Sequence, residues 1–287
     1  MSPQTASGGG IRLLSPGQQP AWAYGLLHDR EEATLLWLTR GQGKVTLGGL
    51  RRGLGTHSAV FVPARTLFAL DLGPQSLGLI LHIPSPGPSS GDLSFPERPL
   101  HLRVREALAQ AELTALLEAI QRELAQDRPH LDEALAAYAR LTAVWLRRQQ
   151  QEGRSDQPGE SAAQQLSAAY AASVVARYRS PVGPGEMAAE LGVTSPDLSR
   201  ACRTACGRSA QRILSECRLH EARRLLAAPE LPLATIAGGL GFGSPDDFSR
   251  FIRKQTGQTP SELRSAQQSP GAAARATQPL RPPLRRF

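Results

Sequence analysis

Two segments in the C-terminal part of the chain carry nearly the same order of serine, aspartate and arginine. Residues 195–200 read Ser-Pro-Asp-Leu-Ser-Arg, and residues 244–250 read Ser-Pro-Asp-Asp-Phe-Ser-Arg. An arginine guanidinium can donate two hydrogen bonds to the edge of a guanine, and a serine hydroxyl can bond a base or a phosphate. The repeat therefore predicts two matching sets of side chains that are suited to contacting nucleic acid.

Local structure must hold each set in place, and the flanking residues predict a helix, a turn and a second helix. Gly192 and Gly241 each follow a short apolar stripe, and glycine commonly ends a helix where a positive φ is needed. Ser195 and Ser244 are the predicted N-caps of the second helices, and each is followed by a proline. A duplicated helix–turn–helix explains both copies.

The second helix of each unit is predicted to be amphipathic. Leu198, Ala201, Cys202 and Ala205 form the buried face in the first unit, and Phe248, Phe251 and Ile252 do so in the second. An all-helical packing domain with a merely solvated basic face is the alternative. The residues predicted to face DNA are Ser195, Pro196, Ser199, Arg200, Arg203, Ser244, Asp246, Ser249, Arg250, Arg253 and Lys254.

Residues 209–227 carry apolar side chains at helical spacing, which predicts a helix joining the two units. A helix of that length spans roughly 28 Å. Successive major grooves on one face of DNA lie about 34 Å apart. The expected partner is therefore double-stranded DNA, contacted in two successive major grooves.

Residues 166–264 resemble the DNA-binding domain of AraC/XylS-type transcription regulators. The resemblance implies seven helices, with base contacts from Pro196, Ser199 and Arg200 in the first unit and from Asp246, Ser249 and Arg250 in the second. It also implies a homodimer, with RNA polymerase as a further candidate partner. The motifs that carry it are Met-Ala-Ala-Glu-Leu-Gly-Val (187–193), Arg-Leu-His-Glu-Ala-Arg-Arg-Leu-Leu (218–226), Ile-Ala (236–237), Gly-Phe (241–242), Phe-Ser-Arg-Phe (248–251) and Thr-Gly-Gln-Thr-Pro-Ser-Glu-Leu-Arg (256–264).

The charge distribution agrees with a nucleic-acid module attached to a second domain. The chain has a formal net charge of +8. Residues 1–160 hold equal numbers of basic and acidic side chains, so the whole excess lies in residues 161–287. A basic part beside a neutral part favours a DNA-binding domain joined to a domain with another task.

The first hundred residues predict a β domain. Short apolar runs at Thr34–Thr39, Lys44–Leu47, Ala59–Val62, Phe68–Leu72 and Leu77–Ile83 are separated by glycine-containing turns. Many short strands of this kind favour a small barrel or jelly roll. The stretch 36–63 resembles the cupin sensor domain that often precedes AraC-type DNA-binding domains. The expected fold class is α+β and multidomain: a cupin-like β-barrel, a helical hairpin and an all-α domain with two helix–turn–helix units.

The β domain is predicted to be non-catalytic and to bind a small-molecule effector. Metal-dependent cupins need clustered histidines and a carboxylate, whereas His28, His57 and His82 are well separated. No catalytic residue, metal ligand or cofactor is therefore predicted. The effector itself is unknown. Its candidate contacts are Trp22, Tyr24, Trp37 and Phe68, for which ordinary core packing is the alternative.

Two helices are predicted at residues 102–126 and 130–150, forming a hairpin that packs on the barrel or pairs with a second chain. No apolar run is long enough to cross a membrane, and no signal peptide is recognisable, so a cytoplasmic protein is expected. The predicted divisions are 1–9 disordered, 10–100 sensor domain, 101–150 helical hairpin, 151–161 linker, 162–265 DNA-binding domain and 266–287 disordered basic tail.

Three cysteines also lie in the C-terminal part. Cys202, Cys206 and Cys217, with His220, could in principle hold zinc. Cys202 and Cys217 fall on apolar helix faces, however, where reduced cysteine behaves as a small hydrophobic residue. The prediction is that they belong to the core.

Together these patterns predict a sequence-specific DNA-binding transcription regulator that responds to a small molecule. Two alternatives remain: a cupin-type enzyme with a DNA-binding appendage, and an architectural protein that binds DNA without sequence preference.

Overall fold

The computed structural model describes residues 10–84, 95–126, 128–152 and 161–268. Within them, the N-terminal part forms an antiparallel β domain with one short helix, α1 (Ala21–Gly25). The strands are β1 (Arg12–Leu14), β2 (Ala33–Arg40), β3 (Gly43–Leu47), β4 (Leu50–Leu54), β5 (Ser58–Val62), β6 (Phe68–Leu72), β7 (Leu77–Ile83) and β8 (Leu100–Arg103).

The strands form two sheets, ordered β1-β7-β2-β5-β8 and β4-β3-β6. All five strands predicted from sequence are present, while β1, β4 and β8 were not predicted. Side chains alternate across a strand, so β2 contributes to two cores. Leu36 and Leu38 face the smaller sheet and fill the interior of the β domain, whereas Leu35 and Trp37 face outward.

The helical hairpin covers the outer face of the larger sheet. It consists of α2 (Ala107–Gln126) and α3 (Leu131–Gln151). The predicted start of the first helix at residue 102 is wrong, because Leu100–Arg103 pairs with β5 as a strand. The Trp37 indole donates to Thr114 on α2 at 3.1 Å, and the hairpin core continues into the sheet, so the predicted packing of the hairpin on the β domain is observed.

The C-terminal domain is entirely helical and has the seven helices that the family resemblance implied. They are α4 (Ala162–Arg177), α5 (Pro184–Glu190), α6 (Ser195–Cys206), α7 (Ala210–Leu226), α8 (Leu233–Gly239), α9 (Pro245–Thr256) and α10 (Pro260–Gln268). The α+β fold class, with an N-terminal sheet domain and a helical C-terminal domain, is confirmed.

Parts of the predicted disordered and linker segments lie outside the described residues, namely 1–9, 153–160 and 269–287. Of the predicted linker 151–161, Gln151 ends α3 and Ser161 caps α4 by accepting a hydrogen bond from the Gln164 backbone. The predicted start of the tail at residue 266 is wrong, because α10 continues through Gln268.

The two domains contact each other directly at the β3–β4 turn. The hydroxyl of Ser167 on α4 donates to the Gly49 carbonyl at 2.8 Å. The Arg208 guanidinium, just beyond α6, donates to the Thr46 hydroxyl at 2.9 Å and to the Glu216 carboxylate at 2.9 Å. One half-buried arginine therefore connects the β domain to α7.

A second contact joins residues 22–28 to α7. The His220 imidazole donates to the Ala23 carbonyl at 3.1 Å and stacks on His28, with ring centres 4.1 Å apart. Leu27 packs among the apolar residues of the first helix–turn–helix unit, and Leu26 among those of the second. The segment between α1 and β2 is therefore part of the helical cores as well as of the β domain.

Gly49 permits the close contact between the β3–β4 turn and α4. Its φ is +82°, and a Cβ there would lie 2.6 Å from the Ser167 carbonyl oxygen. Gly48 also has a positive φ, of +55°, but a Cβ there would meet nothing within 4 Å.

Alanine at either position should cost about 1–2 kcal/mol of backbone strain. Only Gly49→Ala should also separate the domains, seen as faster proteolysis between them than in Gly48→Ala. Equal proteolysis of the two variants would contradict this account.

The stacked histidines predict a pH dependence of domain docking. Burial, and next the neighbouring His220, lower the pKa of His28 well below its usual value, and burial lowers the pKa of His220 to about 4. Undocked histidines would take up protons near pH 6.5, so docking should be strongest above that pH and weaken as pH falls toward 4. Hydrogen exchange along α7 at several pH values measures this effect. His220→Gln keeps a donor for the Ala23 carbonyl and should show a smaller change of hydrogen exchange with pH. If the variant had the same pH dependence as the wild type, the stacked histidines would not be its cause.

Candidate nucleic-acid interface

Helices α6 and α9 are related by a constant register, in which matched residues differ by fifty in number. Thr194 and Ser244 are the N-caps: each side-chain oxygen accepts a hydrogen bond from a backbone N–H three residues on, at 3.3 Å and 3.1 Å. The prediction that Ser195 is an N-cap is therefore wrong, whereas that for Ser244 is confirmed. The signal that was missed is Thr194 three residues before Asp197, an arrangement related to the capping box.

The acidic residue at the third helical position is shared by both copies. The Thr194 hydroxyl donates to Asp197 at 2.6 Å, and the Ser244 hydroxyl donates to Asp247 at 2.8 Å. Each carboxylate also forms an ion pair with an arginine one turn later, Arg200 or Arg250. The hydrogen bond from Arg250, then that from Ser244, lowers the pKa of Asp247. The capping group thus restrains the arginine predicted to read a base.

The exposed faces carry the predicted contact residues. The side chains of Arg200 and Arg250 are 71% and 77% exposed. Ser199 and Ser249 are half-buried at matched positions beside them. Ser244 is half-buried and its hydroxyl is engaged with Asp247. The remaining predicted contacts are exposed: Ser195, Pro196, Arg203, Asp246, Arg253 and Lys254.

The opposite faces are packed as predicted, but unequally. Leu198, Ala201, Cys202 and Ala205 are buried in the first unit. Phe248 and Ile252 are buried in the second unit, and Phe251 is half-buried. Large aromatic and branched side chains bury more apolar area than alanine and cysteine. Helix α9 is therefore held by larger buried side chains than α6.

The turns differ by one residue, which accounts for the shifted echo in the sequence. Gly192 and Gly241 have φ values of +71° and +74°. A Cβ on Gly241 would lie 2.3 Å from the Ser180 carbonyl oxygen, so the second turn lies directly against the segment after α4. Arg218 on α7 donates to the same Ser180 carbonyl at 2.6 Å. The two units are therefore joined by close backbone contact as well as through α7.

Helix α7 holds the two units apart. It spans roughly 25 Å at the usual rise of an α-helix, with Ser209 as its N-cap. Ile213 and Leu214 pack in the apolar cluster of the first unit, while Ala222 and Leu226 pack in that of the second. One rigid helix therefore sets the spacing between α6 and α9.

The cysteines belong to the apolar cluster of the first unit, as predicted. Cys202, Cys206 and Cys217 are buried reduced thiols. Burial raises the pKa of Cys202 to about 11. Such thiols stay protonated near neutral pH and act as small apolar groups. His220 is instead engaged with Ala23 and His28.

The four effector candidates do not line one site. Tyr24 and Phe68 are buried inside the β domain, and Trp22 stacks edge-on against His220 at the domain contact. Trp37 faces the other way and lines an open cavity of about 400 Å³ between the larger sheet and α2. The other residues lining this cavity are Thr39, His57, Ala107, Gln110, Ala111, Thr114, Ala115 and Glu118.

The histidines that a metal-dependent cupin would need are also dispersed. His28 stacks on His220, His57 lines the cavity beside Trp37, and His82 lies 2.8 Å from the Tyr24 hydroxyl. Burial lowers the pKa of His82 to about 3. Among the described residues, no three histidine, cysteine or carboxylate side chains are grouped in a way that could hold a metal ion.

Two capped helices carry a half-buried serine and an exposed arginine at matched positions, and each follows a short helix and a glycine turn. This arrangement defines a double helix–turn–helix. Residues 187–266 match the family model described as "Helix-turn-helix domain". The C-terminal domain is therefore a helix–turn–helix domain.

Individual relatives agree with this class. The chain is 34% identical over 87 residues to the HTH-type transcriptional activator RhaS of Pectobacterium carotovorum subsp. carotovorum (strain PC1). It is equally similar to RhaS of Pectobacterium atrosepticum. The match covers 30% of this chain and only 31% of the length of each relative.

Solved structures show similarity over different shares of the chain. An apo ToxT variant from Vibrio cholerae is 14% identical, covering 89% of this chain and 96% of that one, with a TM-score of 0.42. The C-terminal domain of AraT from Geobacillus stearothermophilus is 25% identical, covering 38% and 88% respectively, with a TM-score of 0.34. In the described part of this chain, no helix is both long and apolar enough to traverse a bilayer.

The role of Asp247 can be separated from that of its neighbour Asp246. Asp247→Ala should remove the acceptor of the Ser244 hydroxyl and release Arg250, which should destabilise α9 and lower the urea midpoint of unfolding. Asp246→Ala, at an exposed position of the same turn, serves as the matched control and should leave stability nearly unchanged. Urea unfolding of the whole chain measures both. Equal destabilisation by the two substitutions would mean that general helix-dipole electrostatics, and not the cap, explain the effect.

Proposed function

We propose that this chain is a sequence-specific DNA-binding transcription regulator. The observation that carries the proposal is the constant register of α6 and α9, which repeats a half-buried serine and an exposed arginine after a capping aspartate. Packing alone requires the buried faces to match but places no such demand on the exposed ones. Arginine donors aimed into two major grooves account for the repeated exposed pattern.

The spacing of the units supports contact with two successive grooves. Helix α7 and the contact between Gly241 and Ser180 hold the units as one body. The site residues then divide by position. The first half of each helix, which reaches base edges, carries Ser199, Arg200, Ser249 and Arg250. The last turns, which suit contacts with phosphates, carry Arg203, Arg253 and Lys254.

We further propose that the N-terminal domain binds a small-molecule effector and regulates the DNA-binding domain. The open cavity beside Trp37 supports a binding site, since it combines apolar walls with the polar groups of Thr39, Gln110 and Glu118. In this proposal the protein acts in the cytoplasm as a homodimer and has no catalytic activity. Its further partner is RNA polymerase. Exposed Leu108 and Leu141 on α2 and α3 support self-association through the hairpin.

The contacts of residues 22–28 offer the route by which the domains influence each other. Tyr24 is buried in the β domain, and four residues later His28 stacks on His220 of α7. A ligand shifts the arrangement of domains only if it binds one arrangement more tightly. DNA must then change the affinity for that ligand by the same factor.

The rival functions differ in a measurable way. An architectural protein would bind all duplexes alike at matched salt. A cupin-type enzyme would need a metal or a nucleophile in the β domain. Selection of binding sites from a pool of random duplexes by the whole chain tests the proposal, because only a sequence-specific protein enriches a defined site.

The variant Arg250→Ala tests base reading. A bidentate contact between arginine and guanine contributes about 1–3 kcal/mol of discrimination. The loss of affinity should therefore be larger on the selected duplex than on a scrambled one. Lys254→Ala is the matched control, because it removes one positive charge from the same helix at an exposed last-turn position. It should weaken binding to both duplexes alike. If Arg250→Ala also weakened both equally, Arg250 would be assigned to a phosphate.

A further inference from the structure

One stretch of the otherwise neutral N-terminal half is strongly basic. Residues 33–70 contain Arg40, Lys44, Arg51, Arg52 and Arg65 and no acidic residue. Three of these cations lie on the hairpin formed by β3 and β4. This hairpin is the part of the β domain that docks against α4 and the end of α6. Positive charge is thus concentrated where the β domain meets the first recognition helix.

Arg51 is the member of this group nearest to α6. It is exposed on β4, and in the described part of the chain no carboxylate lies within ion-pair distance of it. A Cβ built on Gly207 would lie 3.2 Å from the Arg51 Nη1 atom. Gly207 is the C-cap of α6, with a φ of +74°. The N-terminal domain therefore places a guanidinium directly against the end of this helix.

The position of Gly207 on the helix shows which side of α6 the Arg51 side chain contacts. Gly207 follows Arg203 by four residues and Arg200 by seven, so all three lie on one face of α6. That face is opposite to Leu198 and Ala205, which are buried. The Arg51 guanidinium thus extends the row of exposed arginines on the DNA-facing side, roughly 10 Å beyond Arg200 along the helix axis.

The geometry of recognition helices indicates what lies at that distance. The first residues of such a helix contact base edges in the major groove. The groove is about 12 Å wide, so a point some 10 Å farther along the helix reaches the sugar–phosphate wall. A guanidinium there has donors suited to phosphate oxygens.

We propose that Arg51 of the N-terminal domain contacts a DNA phosphate beside the site read by α6, so that the DNA interface includes both domains. The inference rests on the proposed function. The Ser167–Gly49 and Arg208–Thr46 hydrogen bonds hold the hairpin in place before DNA arrives. Domain docking then adds one phosphate contact to the affinity.

The test is the salt dependence of DNA binding by the whole chain carrying Arg51→Ala. Each neutralised phosphate contributes about 0.9 to the slope of log affinity against log salt concentration. The variant should lose about that much slope on both selected and scrambled duplexes. The ratio of wild-type to variant affinity should then fall roughly 3.5-fold between about 50 and about 200 mM salt.

Arg40→Ala is the matched control, since Arg40 is an exposed cation of the same acid-free stretch at the end of β2 in the other sheet. It should leave the slope unchanged. If Arg51→Ala leaves the slope at the wild-type value and lowers the thermal unfolding midpoint, Arg51 only stabilises the carboxyl end of α6, and the inference is overturned. If wild type enriches no site but Arg51→Ala still reduces the slope, the proposed sequence-specific function fails while the phosphate contact stands.

Discussion

The arrangement of the molecule depends on the burial of α7 against three neighbours at once. Its first turns pack on the first helix–turn–helix unit, its last turns on the second, and one side on residues 22–28 of the β domain. Two carboxylates are buried along it, Glu216 and Glu221. Removing one partner of a buried ion pair is costly, because the other charge remains without compensation.

The partners of these carboxylates explain why α7 has a defined orientation. Arg208 and Arg212 donate to Glu216, and Arg179 and Arg224 donate to Glu221. Burial alone would raise the pKa of Glu221, but hydrogen bonds and attraction from Arg224 and Arg179 outweigh it and lower the pKa. Apolar packing allows some sliding of a helix, whereas paired charges do not. Arg208 lies just beyond α6 and Arg179 just beyond α4, so these two ion pairs help to fix α7 relative to the first helix–turn–helix unit.

The same helix makes the two domains one structural unit rather than two bodies joined by a tether. Leu26 and Leu27 pack in the helical cores. Arg208 donates hydrogen bonds both to Thr46 of the β domain and to Glu216 of α7. Any change that displaces residues 22–28 must therefore alter the surroundings of α7. This gives a regulatory signal a short physical path between domains, through contacts that either form together or are lost together.

What the sequence determined by itself is what depends on local chemistry. The five strands with continuous apolar patterns, the glycine turns before α6 and α9, and the buried and exposed faces of both helices follow from periodicity and backbone preference. Sequence alone predicts Ser195 as a cap because Ser195-Pro196-Asp197 repeats the order of Ser244-Pro245-Asp246, whose serine is a cap, whereas the observed cap of α6 is Thr194. Strand β8 was missed because Leu100–Arg103 continues into a helical pattern, and only pairing with β5 selects the extended form. Tertiary structure alone decided the direction of Trp37, the stacking of His28 on His220 and the approach of Arg51 to Gly207. Each joins residues far apart in the chain, and no local preference encodes which distant surface a side chain will meet.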